Sequence, residues 1–235
     1  MTEPTAENLD RLRALVDSLG YDLDPSILIG GWATHLRVGG DISQDIDLII
    51  MSPALRATLK ERLDDYSENS RLSGGGTKAR GSVDGVHIDA YFPHESKLGN
   101  RLLIDVAKLS AYTEEVRNRQ WLMLTLEAHI ATKLAALLDR PDSEKGEKDA
   151  REIVRLIDSG ADGSEVVRIL LDTTTGDRDL IPDHVRTAFQ LLPDRARLNK
   201  KARRHYKNLE REWVDEATIQ LRELSAPLRP RFPPQ

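Results

Sequence analysis

Two aspartates two positions apart stand in the run Asp45-Ile46-Asp47-Leu48-Ile49-Ile50. In an extended strand, residues i and i+2 point to the same face. Both carboxylates therefore project together from an otherwise apolar segment. Like charges so placed repel, and a cation between them relieves the cost. Hard oxygen donors at this spacing suit Mg²⁺ (or Mn²⁺), which binds a few carboxylates together with phosphate oxygens. An Asp-x-Asp in a loop is also a common solvated turn, so the context matters. Gly30-Gly31 lies upstream, after the apolar run Ile27-Leu28-Ile29. Glycines there let backbone N–H groups approach a phosphate at the positive end of a helix dipole. The plainer alternative is a tight strand-to-helix turn. A third acid, Asp89, sits in the alternating run His87-Ile88-Asp89-Ala90-Tyr91. Asp45, Asp47 and Asp89 on neighbouring strands, facing a Gly-Gly turn, would form a metal–triphosphate site. Such a site activates an attacking hydroxyl and stabilises a pyrophosphate leaving group.

Charged residues in the second half join this set. Leu126, Ile130, Leu134, Leu137 and Leu138 form one helical stripe, and Lys133 lies at its edge. Asp149 precedes Ile153 by four and Leu156 by seven, so it also falls on an apolar face. Charges on core faces need partners. A structural Lys133–Asp149 ion pair is one reading; a phosphate-binding Lys133 oriented by Asp149 is the other, and the two are compatible. Ser43 precedes Asp45 by two and would sit near the metal and triphosphate, or serve only as a turn serine.

The combined pattern resembles the nucleotidyltransferase superfamily with the polymerase-β-like fold. The carrying residues are Ile29-Gly30-Gly31-Trp32-Ala33, Ser43-Gln44-Asp45-Ile46-Asp47-Leu48-Ile49 and Ile88-Asp89. The helical stretch with Lys133, Lys148 and Asp149 narrows the resemblance to AbiEii/MenT-type toxins of toxin–antitoxin pairs. The resemblance implies transfer of a nucleoside monophosphate from an NTP to an acceptor hydroxyl. It implies that Asp45, Asp47 and Asp89 hold the metal, and that Gly30, Gly31, Ser43, Lys133 and Lys148 bind the nucleotide. It further implies the 3′ end of tRNA as acceptor, growth arrest as outcome and a cognate antitoxin protein as partner. In some toxins of this type, phosphorylation at the Ser43 position silences the enzyme, and a phosphate beside the acids would compete with the triphosphate.

The elements that must position these residues follow from periodicity. A helix over 8–19, ended by Gly20, precedes a buried strand over 26–30 and a short helix over 32–37. A strand over 45–51 and a helix over 53–64 come next. Strands over 78–83 and 86–92 flank Asp84-Gly85, a hairpin signal. Short strands over 112–116 and 120–124 follow. Helices are then predicted over 126–139, 147–158, 163–172, 182–191 and 195–224. These elements predict an α+β fold: a first domain with a small mixed sheet over 1–124, which by the resemblance is the polymerase-β-like nucleotidyltransferase domain, a helical domain over 125–226, and a Pro-rich tail over 227–235. Lys78 and Arg80, on the hairpin that delivers Asp89, are candidate phosphate or base contacts or plain surface cations. His35, His87 and His129 have no metal-ligand spacing. Trp32 and Trp121 read as core, with base stacking an alternative for Trp32.

Composition sets the frame. The 235 residues carry 34 Lys or Arg against 39 Asp or Glu, a net charge of −5, with 39% hydrophobic residues and no cysteine. Thiol chemistry and Cys-ligated zinc are excluded. The polar start and the absence of a long apolar run predict a cytoplasmic protein with no membrane partner. The net charge conceals a basic stretch over 195–211, with eight Lys or Arg against one Glu. A helix there, carrying Tyr206, would track an RNA backbone or pair with the acidic remainder. Two rival functions remain at this stage: nucleotidyl transfer to a small molecule such as an antibiotic, and a non-catalytic nucleotide-binding module.

Overall fold

The structure, a computed structural model, describes residues 6–69, 76–115 and 121–225. In chain order it runs α1 (Ala6–Asp22), β1 (Ile27–Ile29), α2 (Gly30–Val38), β2 (Asp45–Ile49), α3 (Pro53–Arg62) and β3 (Asp64–Asn69). The hairpin β4 (Lys78–Val83) and β5 (Val86–Tyr91) is followed by the short pair β6 (Lys97–Leu98) and β7 (Ile104–Asp105). Then come α4 (Val106–Leu109), β8 (Thr113–Glu115) and β9 (Leu122–Leu124). The rest is helical: α5 (Leu126–Asp139), α6 (Glu144–Asp158), α7 (Gly163–Thr173), a 3₁₀ turn, α8 (Ile181–Arg195) and α9 (Lys200–Ser225). The fold is α+β, with a mixed sheet followed by a helical region.

The sheet has seven strands in the order β3-β4-β5-β2-β1-β9-β8. β1 runs antiparallel to β2 and parallel to β9, while β2 runs parallel to β5. Strand alternation divides the side chains between two faces. Leu28, Ile46, Leu48, Ile88 and Ala90 fill one face and pack with Val16 and Leu19 of α1 and Leu59 of α3. Ile27, Ile29 and Ile49 occupy the other face and join the core of α5 to α9. On that second face the lining changes from apolar to acidic within two residues. Ile29 lies opposite Asp47, and Asp47 lies opposite Asp89. The site is thus a place where the sheet stops being a core surface.

Several boundaries differ from the sequence reading. α1 continues through Gly20 to Asp22. β1 ends at Ile29, and Gly30 and Gly31 already belong to the first turn of α2. α3 stops at Arg62 and the chain enters the edge strand β3, whose Asp-Asp-Tyr-Ser-Glu-Asn sequence has no apolar alternation to signal a strand. α6 begins at Glu144, three residues early, because the Ser143 side chain accepts from Gly146 N at 3.0 Å. The helix expected over 195–224 is broken. Arg197 takes a φ of +54°, and α9 restarts at Lys200 after Asn199, whose side chain accepts from Ala202 N at 3.0 Å. The tail over 227–235 and the links at 74–75 and 116–120 lie outside the described residues.

Candidate active site

A cavity of about 460 Å³ opens on the acidic part of the sheet, between β1, β2, β5 and the helices α5 and α6. Its lining includes Gly30, Gly31, Ser43, Asp45, Asp47, Asp89, Lys133, Lys148 and Asp149. These nine residues therefore face one space; of the two hairpin candidates, Lys78 also lines it and Arg80 does not.

The glycine turn is held open by sterics. Gly30 has a φ of +70°, and a Cβ on it would overlap Oδ2 of Asp47. A Cβ on Gly31 would come within 2.7 Å of Ser43 Oγ and 3.1 Å of Lys148 Nζ. No side chain caps the start of α2, so its first N–H groups lack the usual intramolecular partner. Beneath the turn, buried His129 places Nε2 3.3 Å from Gly30 O and 3.1 Å from Thr34 Oγ1. Burial, with help from Lys133 and Arg37, pushes this histidine down to about 3. It is a neutral donor to the Gly30 carbonyl.

The two aspartates of β2 sit in opposite electrostatic situations. Asp45 accepts from Ser43 Oγ at 2.5 Å and from Lys145 Nζ at 3.0 Å. Burial works to raise its pKa, but these two donors outweigh it and hold the carboxyl down to about 2. Asp47 is pushed up to about 6, first by burial and then by the charges of Asp45 and Asp89, against the pull of Lys78 and Lys133. Asp89 is ion-paired with Lys78 and lies 3.2 Å from Arg80 Nε. Among the described residues, no three His, Asp or Glu side chains converge closely enough to form a metal cluster. Asp45 and Asp47 share a strand face, while the oxygens of Asp89 are engaged by the two hairpin cations.

α5 and α6 supply the positive wall. Lys145, Lys148, Asp149 and Glu152 occupy positions i, i+3, i+4 and i+7 of α6, one helical face. Asp149 shares its buried face with Ile153 and Leu156, four and seven positions further on. Lys133 Nζ lies 3.3 Å from Asp149 Oδ1 and 2.5 Å from Glu152 Oε2. Burial disfavours its charge, but Glu152 and Asp149 hold its pKa above the usual lysine value. Asp149 is also paired with Arg140, at 2.6 Å. Lys148 Nζ lies 3.3 Å from Ser43 Oγ and 3.8 Å from Glu152. Glu152, Arg140 and Lys145 were not singled out from the sequence. Helical spacing from Lys148 and Asp149 points to the first, and the short α5–α6 turn brings in the other two.

The match to a known family covers most of the chain. The family described as "Nucleotidyl transferase AbiEii toxin, Type IV TA system" matches residues 13–232. The chain belongs to the AbiEii family. It is a nucleotidyltransferase, as that family is. No curated protein matches the sequence significantly. Similar solved structures include an antigenic nucleotidyltransferase-like protein from Paracoccidioides brasiliensis, 20% identical with a TM-score of 0.43, covering 67% of this chain and 80% of that one. Another is the antibiotic-resistance factor ANT(2'')-Ia, 17% identical with a TM-score of 0.48, covering 68% of this chain and 89% of that one.

Other candidates in this AbiEii chain fall outside the cavity. Trp32, on α2, is fully buried in the core, so it stacks on no base. Trp121 is buried and donates Nε1–H to Val16 O at 2.8 Å. Tyr206 corrects the picture of the basic segment. It is 2% exposed and packs beside Phe189. Its hydroxyl lies 2.9 Å from Asp158 and 3.1 Å from Val154 O. Burial and Asp158 raise its pKa. Arg195, Arg197 and Arg203 pair with Asp142, Glu147 and Asp194. Lys200, Lys201, Arg204, Lys207 and Arg211 are exposed, with no ion pair among the described residues. No described helix is long and apolar enough to cross a membrane.

Proposed function

We propose that this AbiEii-family chain transfers a nucleoside monophosphate from an NTP to the 3′ end of an RNA, with tRNA as acceptor, and thereby acts as the growth-inhibiting toxin of a toxin–antitoxin pair. The reading rests on one juxtaposition: an uncapped helix start at Gly30-Gly31 and two same-face carboxylates share a cavity with Lys133 and Lys148. The donor set fits a divalent cation. It is all oxygen, and Asp47 carries a cost from burial and like charge that a cation removes. Asp45 and Asp47 would hold Mg²⁺ or Mn²⁺, with Asp89 as a third acid. When bound, the ion polarises the α-phosphate and neutralises the leaving pyrophosphate.

The chain's own groups do the rest. The α2 N–H groups, Ser43 Oγ and Lys148 Nζ receive phosphate oxygens. Lys133 adds a fixed positive charge whose position Asp149 and Glu152 set. The acceptor oxygen forms a bond to Pα as the Pα–O–Pβ bond breaks, and the hydroxyl proton leaves toward the acids. The exposed cations of α9 support an RNA acceptor. The α8–α9 corner is tied to the cavity rim by ion pairs from Arg195 to Asp142 and from Arg197 to Glu147. The toxin role and the antitoxin partner follow from the family.

Pyrophosphate release tests the acceptor. Release on adding tRNA, and none on adding an aminoglycoside, is expected. Replacing Lys200, Lys201 and Arg204 with Gln should flatten the salt dependence of RNA binding by about 2–3 in logarithmic slope. Release with the aminoglycoside alone would favour the small-molecule acceptor.

A further inference from the structure

The cavity has a further wall that the proposed phosphate contacts do not use. Thr132, Ala136 and Asp139 follow one face of α5, and the strand end Leu98-Gly99-Asn100 lies against it. The segment is built in tightly. A Cβ on Gly99 would overlap Leu102 O and come within 3.1 Å of Ala135 Cβ. The Asp139 carboxylate accepts from the backbone N–H groups of Asn100 at 2.8 Å and Arg101 at 3.0 Å. It also accepts from Asn100 Nδ2 at 3.2 Å.

That last bond decides which end of the amide is which. A carboxylate only accepts, so the NH₂ group of Asn100 must face Asp139 and the carbonyl Oδ1 must face away. Oδ1 has no hydrogen-bond partner among the described residues. Asn100 is exposed and lines the cavity. The wall thus presents a fixed acceptor beside Leu98, Gly99 and Ala136, with the aromatic ring of Tyr91 in the same lining. A fixed amide acceptor flanked by Leu98, Ala136 and an aromatic ring suits a nucleobase better than a phosphate or a metal.

We propose that Asn100, oriented by Asp139, reads the base of the bound nucleotide and favours bases with an amino group at C4 of a pyrimidine or C6 of a purine, cytosine and adenine, over uracil and guanine, which carry a carbonyl there. This rests on the nucleotidyl-transfer reading of the same cavity. Asn100 Oδ1 accepts from the amino group. A base with a carbonyl at that position sets two acceptors against each other. Asp139 is a positioning residue: it prevents the amide from turning round.

The test is equilibrium binding of the four α,β-methylene NTP analogues to the full chain with Mg²⁺, with inorganic triphosphate as a base-free competitor. The wild type should bind the CTP and ATP analogues about tenfold more tightly than the UTP and GTP analogues, as expected for one hydrogen bond. Asn100→Ala should bring the four within about twofold of one another. Asp139→Asn should do the same, because an amide partner allows both orientations of Asn100, whereas Asp139→Glu should restore part of the preference. Triphosphate competition separates these losses from a general collapse of the site. Equal wild-type binding of the four analogues, or a preference that survives Asn100→Ala, would overturn the proposal. Failure of both the analogues and triphosphate to bind would instead overturn the nucleotidyl-transfer reading beneath it.

Discussion

A Cβ on Gly30 would occupy the space that Oδ2 of Asp47 already fills, coming within 2.9 Å of its Cγ. The glycine turn and the first carboxylate pair are therefore one object. Gly30→Ala forces either the φ of +70° or the aspartate to change. It should lower transfer about 100-fold or more and destabilise the fold by about 1–3 kcal/mol. Label transfer and a urea melt on the same preparation check both numbers.

Metal binding has a readout independent of turnover. Asp45 and Asp47 repel each other in the free protein, so a divalent ion should stabilise it. Mg²⁺ at about 100 times its Kd should add about 2–3 kcal/mol. The Asp47→Asn variant should lose that increment. Its own stability without Mg²⁺ should equal or exceed that of the wild type, since a buried, repelled charge has been removed. Thermal melts with and without Mg²⁺ or EDTA decide the point.

The buried charges under the site should behave as a unit. Lys133→Met removes the nearest cation from Glu152, which is 1% exposed and keeps only Lys148 at 3.8 Å, and leaves Asp149, 2% exposed, with Arg140 alone. The expected cost is about 3–5 kcal/mol, because one partner of a buried cluster has gone. Adding Glu152→Gln should return part of it, giving a coupling energy in a double-mutant cycle. Additive losses would mean that the two side chains do not act together.

His129 predicts a pH dependence. Its folded pKa is depressed to about 3, below the ordinary value of 6.5. The neutral ring contributes stability that is fully present above pH 6.5 and is lost as pH falls toward 3, because only the unfolded chain takes up the proton. This group alone should give a slope near 1.4 kcal/mol per pH unit across that window. Urea melts at steps from pH 7 to pH 4 should be shallower in pH for His129→Gln than for the wild type.

The parts of this site that were legible in the sequence share a cause. Asp45, Asp47 and Asp89 interrupt apolar alternation, and Asp84-Gly85 leaves few options for the chain other than a hairpin. Lys133 and Asp149 are visible as charges on core faces. Glu152 has the same spacing signature but stood in a run of charges, where the buried member does not differ from its neighbours. β3 hid because an edge strand with polar side chains on both faces has no period. The basic stretch was only partly legible for a different reason. Charge counting cannot tell that Tyr206 turns inward or that Arg195, Arg197 and Arg203 already hold acids. The break before α9 was marked only by Asn199, an N-cap residue inside an otherwise helical pattern.

The central claim is that the Gly30–Asp47 cavity transfers a nucleotide to RNA. The most direct measurement incubates the protein with each α-labelled NTP, Mg²⁺ and total tRNA, beside an Asp45→Ala control whose fold is verified by its melt. The account predicts labelled tRNA from the wild type alone, with the label released by trimming the 3′ end. No label on RNA with any of the four nucleotides, from a protein shown to be folded, would contradict it.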